Sequence, residues 1–322
     1  MVPSKDKVTI CFAHVAYGLK ERFDLRKTGI KVFQVKSYEE FHKRIGEADV
    51  VSVSGMWKNE LIPLAGKLKF IQSISSGMDQ YSKEQLAAKG IRLASAAGVN
   101  ARAVAEHALA LMLAVARRLP EARDNQHKKL WRGMIGDLTQ REDELGGKTV
   151  LIVGMGRIGS HLAKLAKAFD MKVIGIRRDP ASGANGADSI HGMVDLVKLV
   201  PQADVVVLAC ALTPETTGLM SAAAFAAMKP LATFVNVARG KVADEAALIK
   251  TLQAGTIAAA AIDVTVEEPL PAASPLWDLP NVFITPHTAG ETRAYEDNVI
   301  DILLENLERL WRGDKTLRNQ VL

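Results

Sequence analysis

Three residues able to do chemistry stand just past apolar runs in the second half of the chain. Arg239 follows "FVNVA", Glu268 lies in the loop after "AIDVTV", and His287 follows "VFITP". A guanidinium is a planar fork that matches paired oxygens. An imidazole titrates near neutrality and can give or take a proton. Asp263 closes the apolar run that precedes Glu268. In open parallel sheets, ligands bind outside the carboxyl ends of the strands, so residues from separate strand ends can converge there. Each alone is weak evidence, since a lone Arg after a strand is usually surface and a lone His usually structural. Their force comes from a fourth stretch.

That stretch is "LIVGMGRIGS", residues 151–160. "GGKTVLIV" before it reads as a buried strand, "RIGSHLAKLAKAF" after it has a helical apolar period, and "MKVIGI" is a second strand. Strand, glycine loop, helix and strand within this span is the context of a dinucleotide site. Gly154 permits the tight turn, Gly156 lets the backbone approach a pyrophosphate, and Gly159 lets helix and strand pack closely. The helix N-terminus adds free N–H groups and a partial positive charge. Where an acid would bind the adenosine ribose, the next strand ends "VIGIRRDP". Arg177 and Arg178 suit a 2′-phosphate, so NADP is expected in preference to NAD. The alternative is that both arginines are solvated and Asp179 reaches the ribose of NAD.

The elements that must position these groups follow from alternation. Between residues 7 and 95, the strand-like runs "KVTICFA", "IKVFQV", "ADVVSVS", "LKFIQSIS" and "IRLAS" alternate with the helical patterns "YEEFHKRIG", "NELIPLAGK" and "SKEQLAAKG". Residues 148–284 repeat the theme with "TVLIVG", "MKVIGI", "ADVVVLAC", "ATFVNVA", "IAAAAID" and "VFITP". This predicts two α/β domains, each a doubly wound parallel sheet, with a cleft between them. A long helix is expected from about Asn100 to Leu119, halted near Pro120, and a last helix from about Thr292 to Arg312 that could pack back on the first domain. The expected division is 1–102 plus 292–322 for substrate and 103–291 for cofactor.

Composition excludes several classes. With 48% hydrophobic and 24% charged residues the chain is an ordinary globular mix. The net charge of +5 comes without a Lys/Arg block, so no nucleic-acid partner is expected. "VAEHALALMLAVA" holds Glu106 and His107 and is too short to span a bilayer, so no membrane partner is expected. Cys11 and Cys210 sit in apolar runs without C-x-x-C or metal spacing, which suggests packing roles, no metal and a reducing, cytoplasmic location.

The chain resembles the D-isomer-specific 2-hydroxyacid dehydrogenases, the family that includes glyoxylate/hydroxypyruvate reductases and D-3-phosphoglycerate dehydrogenases. The resemblance covers nearly the whole chain. It rests on "SSGMDQY", "NARAVAEHALALML", "GMGRIG", "LTPETTGLM", "NVARG", "DVTVEEPLP" and "TPHTAG", in the family's order. It implies a Rossmann cofactor domain, a flavodoxin-like substrate domain and a homodimer joined through residues 100–145. It implies that Arg239 holds the substrate carboxylate and polarises the keto oxygen, and that His287 is the acid/base. Glu268 would orient His287 and favour its protonated form, with Glu267 as the fallback. The resemblance also implies backbone contacts to the carboxylate at Ser76 and Gly77. Arg157 and Ile158 would lie along the pyrophosphate, and Thr213 and Thr217 near the phosphates and ribose. Val237 and Asp263 would meet the nicotinamide carboxamide, and Val104 would lie near the ring unless it is plain core. Met56 or Trp57 would wall the substrate pocket, unless Trp57 packs under its own loop. Without a Lys/Arg pair near "SGMW", a small unphosphorylated 2-keto acid is expected over phosphoglycerate. Phosphite and formate dehydrogenases share the architecture, and Glu268 argues against formate oxidation. A non-enzymatic NAD(H)-sensing corepressor would carry the same glycine loop.

Overall fold

Short apolar runs, most of them buried, form parallel strands throughout the computed structural model, which describes residues 2–322. They belong to two compact units, Met1–Asn100 with Thr292–Leu322, and Ala101–Glu291.

The first unit begins with β1 (Thr9–Ala13), α1 (Leu19–Asp24), β2 (Lys31–Val35), α2 (Tyr38–Arg44) and β3 (Val50–Val53). It continues through a 3-10 turn at Asn59–Leu64, then β4 (Phe70–Ser73), α3 (Lys83–Ala88) and β5 (Arg92–Ala94). The strand order is β2-β1-β3-β4-β5, all parallel. Direction reverses between β1 and β3, so the loops after β3 and β4 share the carboxyl edge. The "NELIPLAGK" pattern forms a 3-10 turn rather than an α-helix. Pro63 has no N–H to donate into a longer α-helical ladder.

The second unit opens with α4 (Ala101–Ala116), which packs on the helix of the glycine loop. Arg118 then turns left-handed, with φ of 52°, and α5 (Leu119–His127) begins. Pro120 therefore starts a helix instead of halting one. At the first turn its missing N–H costs nothing, because that group would have no partner. The remaining elements are β6 (Thr149–Val153), α6 (Arg157–Ala168), β7 (Lys172–Ile176), β8 (Ser189–His191), α7 (Leu196–Leu199), β9 (Val205–Leu208), α8 (Ala222–Ala226), β10 (Thr233–Asn236), α9 (Glu245–Gln253), β11 (Ala259–Ile262) and β12 (Val282–Ile284). The order β12-β11-β10-β9-β6-β7-β8 is parallel throughout, and its switch point lies between β6 and β9. Apolar clusters fill both faces: α7, α8 and α9 cover one, α4 and α6 the other.

α10 (Tyr295–Arg312) returns to the first unit. It lays Val299, Ile300, Leu303 and Leu307 on Ile10, Phe12 and Phe70. Its buried Asn306 donates to Gln72 at 2.9 Å. Among the described residues, no helix is long and apolar enough to cross a membrane.

Candidate active site

β6 runs into Gly154, whose φ of 107° disfavours any side chain. A Cβ there would lie 2.5 Å from the nitrogen of Cys210, and one on Gly159 would lie 2.3 Å from the carbonyl oxygen of Gly154. Gly156, which caps α6, meets nothing within 4 Å. The loop is therefore closed where helix packs on strand and open at the helix N-terminus, as a phosphate cradle requires. Gly154 and Met155 both donate to the Ile176 carbonyl, which ties the loop to β7.

The segment after β7 divides its charges. Arg177 turns its guanidinium onto the carbonyls of Ser182 and Gly183, at 3.3 and 3.1 Å. Asp179 accepts from the Ser182 hydroxyl at 2.6 Å and from the Ala181 N–H at 3.1 Å, and these bonds hold its carboxyl below the usual range. Its oxygens thus serve their own turn. Arg178 is exposed, and its charge reaches Glu215 in the loop after β9. In that loop Thr217 donates to the Thr213 carbonyl. The buried Thr216, which the sequence reading missed, accepts from the Thr213 N–H and donates to the Ala211 carbonyl.

Arg239, Glu268 and His287 follow β10, β11 and β12, three consecutive neighbours in the sheet. Buried Asn236 fixes the first loop, donating to the Arg239 carbonyl and accepting from the Ala238 N–H. Gly240 packs so closely on the second loop that a Cβ would lie 2.0 Å from the Thr265 carbonyl carbon. Glu268 uses both oxygens: Oε1 accepts from the Thr265 N–H at 3.1 Å, and Oε2 lies 2.7 Å from Nδ1 of His287. The carboxylate on His287 is thus that of Glu268, while Glu267 offers its backbone carbonyl to the Thr265 hydroxyl. Both members of the pair are partly open to solvent, His287 at 45% and Glu268 at 37%, so a substrate can reach them.

Other expected contacts resolve differently. Asp263 is buried, and its carboxylate accepts from the Thr285 hydroxyl and the N–H groups of Thr288 and Ala289. It shapes the His287 loop first, with one lone pair left for any ligand. Val104 and Val237 lie in the apolar cluster under α4, and Ile158 packs against it. Trp57 does not wall a pocket: it is 2% exposed, packs on Tyr81, and donates to Asn59. Met56 is half-buried against the same core. In the first unit the exposed Ser76 and the half-buried Gly77 form a loop braced by hydroxyls: Ser54 donates to Ser75, and Ser75 to the Gly77 carbonyl. Lys58, the nearest cation in sequence, places its ammonium 4.2 Å from the Tyr38 ring. Burial pushes the thiols of Cys11 and Cys210 up to about 12 and about 11, so neither is a thiolate near neutral pH.

The family model "D-isomer specific 2-hydroxyacid dehydrogenase, NAD binding domain" matches residues 109–289. This chain belongs to the D-isomer-specific 2-hydroxyacid dehydrogenases. Among relatives, D-3-phosphoglycerate dehydrogenase of Archaeoglobus fulgidus is 36% identical over 297 residues, 90% of this chain and 55% of that protein. The chain spans about half the length of the phosphoglycerate dehydrogenases it matches. Glyoxylate/hydroxypyruvate reductase B of Pectobacterium atrosepticum is 34% identical over 301 residues, 92% of each chain. The NADPH-dependent glyoxylate/hydroxypyruvate reductase of Sinorhizobium meliloti, solved with NADP and malonate, superposes with a TM-score of 0.81 at 26% identity, covering 99% of this chain and 97% of that one. The glycine loop lies within the segment that this NAD-binding domain model matches.

Proposed function

We propose that this chain reduces a small unphosphorylated 2-keto acid, of the glyoxylate or hydroxypyruvate kind, to the D-2-hydroxy acid, and catalyses the reverse. The observation that carries the reading is the Glu268–His287 contact, on the same sheet edge as the glycine loop. The glycine loop fits a dinucleotide, with open space at Gly156 and an uncapped helix N-terminus. When bound, the nicotinamide cofactor supplies or accepts the hydride. The chain supplies the rest. Glu268 orients the ring of His287 through Nδ1, leaving Nε2 to give a proton to the keto oxygen during reduction. Arg239 grips the carboxylate and draws electron density toward the keto oxygen.

NADPH is the favoured cofactor. With Asp179 engaged in its own turn, Arg178 is the charge left to meet a 2′-phosphate, and Arg177 stiffens the loop beneath it. Support comes from the NADP complex of the Sinorhizobium reductase. The phosphoglycerate reading is the second one, favoured by the similarity to the Archaeoglobus enzyme. The deciding experiment is a panel of 2-keto acids, with and without a phosphate group, each tested with NADPH and NADH. Wild type is expected to use glyoxylate or hydroxypyruvate with NADPH. Arg178→Ala is expected to lower kcat/KM for NADPH about tenfold, from loss of one charge-assisted bond, with little effect on NADH. Turnover confined to phosphorylated acids would replace the first reading by the second.

We also propose a homodimer. Leu119, Leu130, Trp131, Met134 and Leu138 are exposed within one stretch, and such a patch needs a partner. The two cysteines are free thiols, which supports a reducing, cytoplasmic setting.

A further inference from the structure

We infer that His107, on α4, is a positioning residue for the loop that carries His287, acting through the hydroxyl of Thr285 on the buried carboxylate of Asp263. The inference rests on the role proposed above for His287.

His287 has a φ of 56°, a left-handed backbone that a residue with a Cβ avoids. Something must hold it there. Three consecutive N–H groups converge on one residue. The N–H of His287 donates to the Asp263 carbonyl at 2.8 Å. Those of Thr288 and Ala289 donate to Oδ1 and Oδ2 of the same aspartate, at 3.0 and 3.1 Å. The Thr285 hydroxyl lies 2.5 Å from Oδ1. A hydroxyl has one proton, and a carboxylate has none to give. The proton of Thr285 therefore points at Asp263, and its oxygen is left as an acceptor. Nε2 of His107 stands 3.0 Å from that oxygen and 3.5 Å from Oδ1. The hydrogen-bond network assigns the proton of the His107 ring to Nε2.

The latch thus has an anchor outside its own loop. Helix α4 is a rigid mount, with Val104, Ala105, Ala108 and Leu111 buried in the apolar core. Glu268 sets the orientation of the His287 ring, and His107 sets the backbone that carries the ring. The two arms are separate, because Glu268 is fixed by Thr265 and not by Asp263. Without the Nε2–H donor, the Thr285 hydroxyl can rotate, and Asp263 loses the group that aligns Oδ1 with the Thr288 N–H. A histidine that merely fills space would be replaced without loss by an apolar side chain. One that donates would be replaced by glutamine, whose amide nitrogen reaches about as far as Nε2.

The test uses His107→Leu, His107→Gln, Thr285→Val and the double variant His107→Leu/Thr285→Val of the full chain. Hydrogen–deuterium exchange over residues 285–290 needs no substrate and is read first. His107→Leu and Thr285→Val are expected to exchange about tenfold faster there, while residues 151–160 stay unchanged. His107→Gln should remain within about twofold of wild type, and the double variant should match Thr285→Val alone. With a keto acid that wild type reduces, kcat of His107→Leu should fall about tenfold while KM for both substrates stays within about twofold. Unchanged exchange in Thr285→Val or His107→Leu overturns the inference, as does a His107→Gln variant as fast as His107→Leu. If His107→Leu does not fold, Thr285→Val and His107→Gln decide alone. If wild type reduces no keto acid, the proposed reaction falls, and the exchange data still decide the role of His107.

Discussion

A guanidinium can be replaced by an ammonium without changing the charge, and this separates shape from charge at Arg239. Arg239→Lys keeps a cation but loses the planar fork that matches a 2-keto acid. Its kcat/KM is expected to fall by about a hundredfold while NADPH binding stays unchanged, consistent with a loss of about 3 kcal/mol. Wild-type kcat/KM in Arg239→Lys would remove Arg239 from the substrate. Glu268→Gln tests the neighbouring role. The amide can still accept from Thr265 but carries no charge toward Nδ1 of His287. A tenfold or larger loss in kcat is expected, of the order seen when a general acid loses its partner. KM for the cofactor should not move. A kcat that stayed at the wild-type level would take Glu268 out of the reaction. The Glu268–His287 pairing was legible because both residue types follow strand ends of one sheet, and the fold brings their side chains to 2.7 Å. Asp263 was not legible in the same way. Its place at a strand end said that it mattered, but only the fold brings Thr285, Thr288 and Ala289 onto its carboxylate.

At the scale of elements, what sequence shows is periodicity, and what it hides is packing. The buried strands were readable because their Val and Ile runs have no other stable use. β8 escaped notice because "SIH" is three half-buried residues at the sheet edge, with no apolar run to announce it. α1 escaped because its six residues bury only Leu19 and Phe23. Trp57 looked like a pocket wall because nothing in the sequence shows that Tyr81 lies against it. Contacts between loops are hidden in the same way, and Gly240 makes one that can be tested. Gly240→Ala must push Thr265 away, at a cost of about 1–3 kcal/mol. The Glu268 loop should shift with it, lowering kcat as well as stability. Gly66→Ala, in open space, should do neither. A stable, active Gly240→Ala would mean that the two loops move freely. Asp204 offers a second element-scale test, at the starts of neighbouring strands. It accepts from the Thr149 N–H and from Lys229, which outweigh the cost of its burial and hold its carboxyl below the usual value. A carboxyl held low stabilises the fold above its unfolded value near 3.8, and that contribution is lost as pH falls through the folded value. Asp204→Asn should therefore cost about 1 kcal/mol at pH 7, and the difference from wild type should shrink as pH falls below 3.8 through the lowered folded value. Urea unfolding at pH 7 and at a series of acid pH values gives the answer. A gap that stayed constant would assign the effect to packing.

At the scale of the molecule, the exposed stretch from Leu119 to Leu138 carries the prediction of assembly. Trp131→Asp is expected to give a monomer by light scattering at concentrations where wild type is a dimer, with each unit still folded. A wild-type monomer would leave the patch unexplained. The larger consequence comes from the way the first unit is closed. The edge of β5 pairs with the last residues, as Leu93 exchanges hydrogen bonds with Val321 and Leu322, and α10 covers one face of the sheet. During synthesis, residues 101–291 leave the ribosome before the helix that completes the preceding sheet has been made. The second unit can reach its native state first, while the first waits with Ile10, Phe12 and Phe70 uncovered. The nascent chain therefore passes through a stage in which its cofactor-binding half is finished and its other half is a ready target for a chaperone.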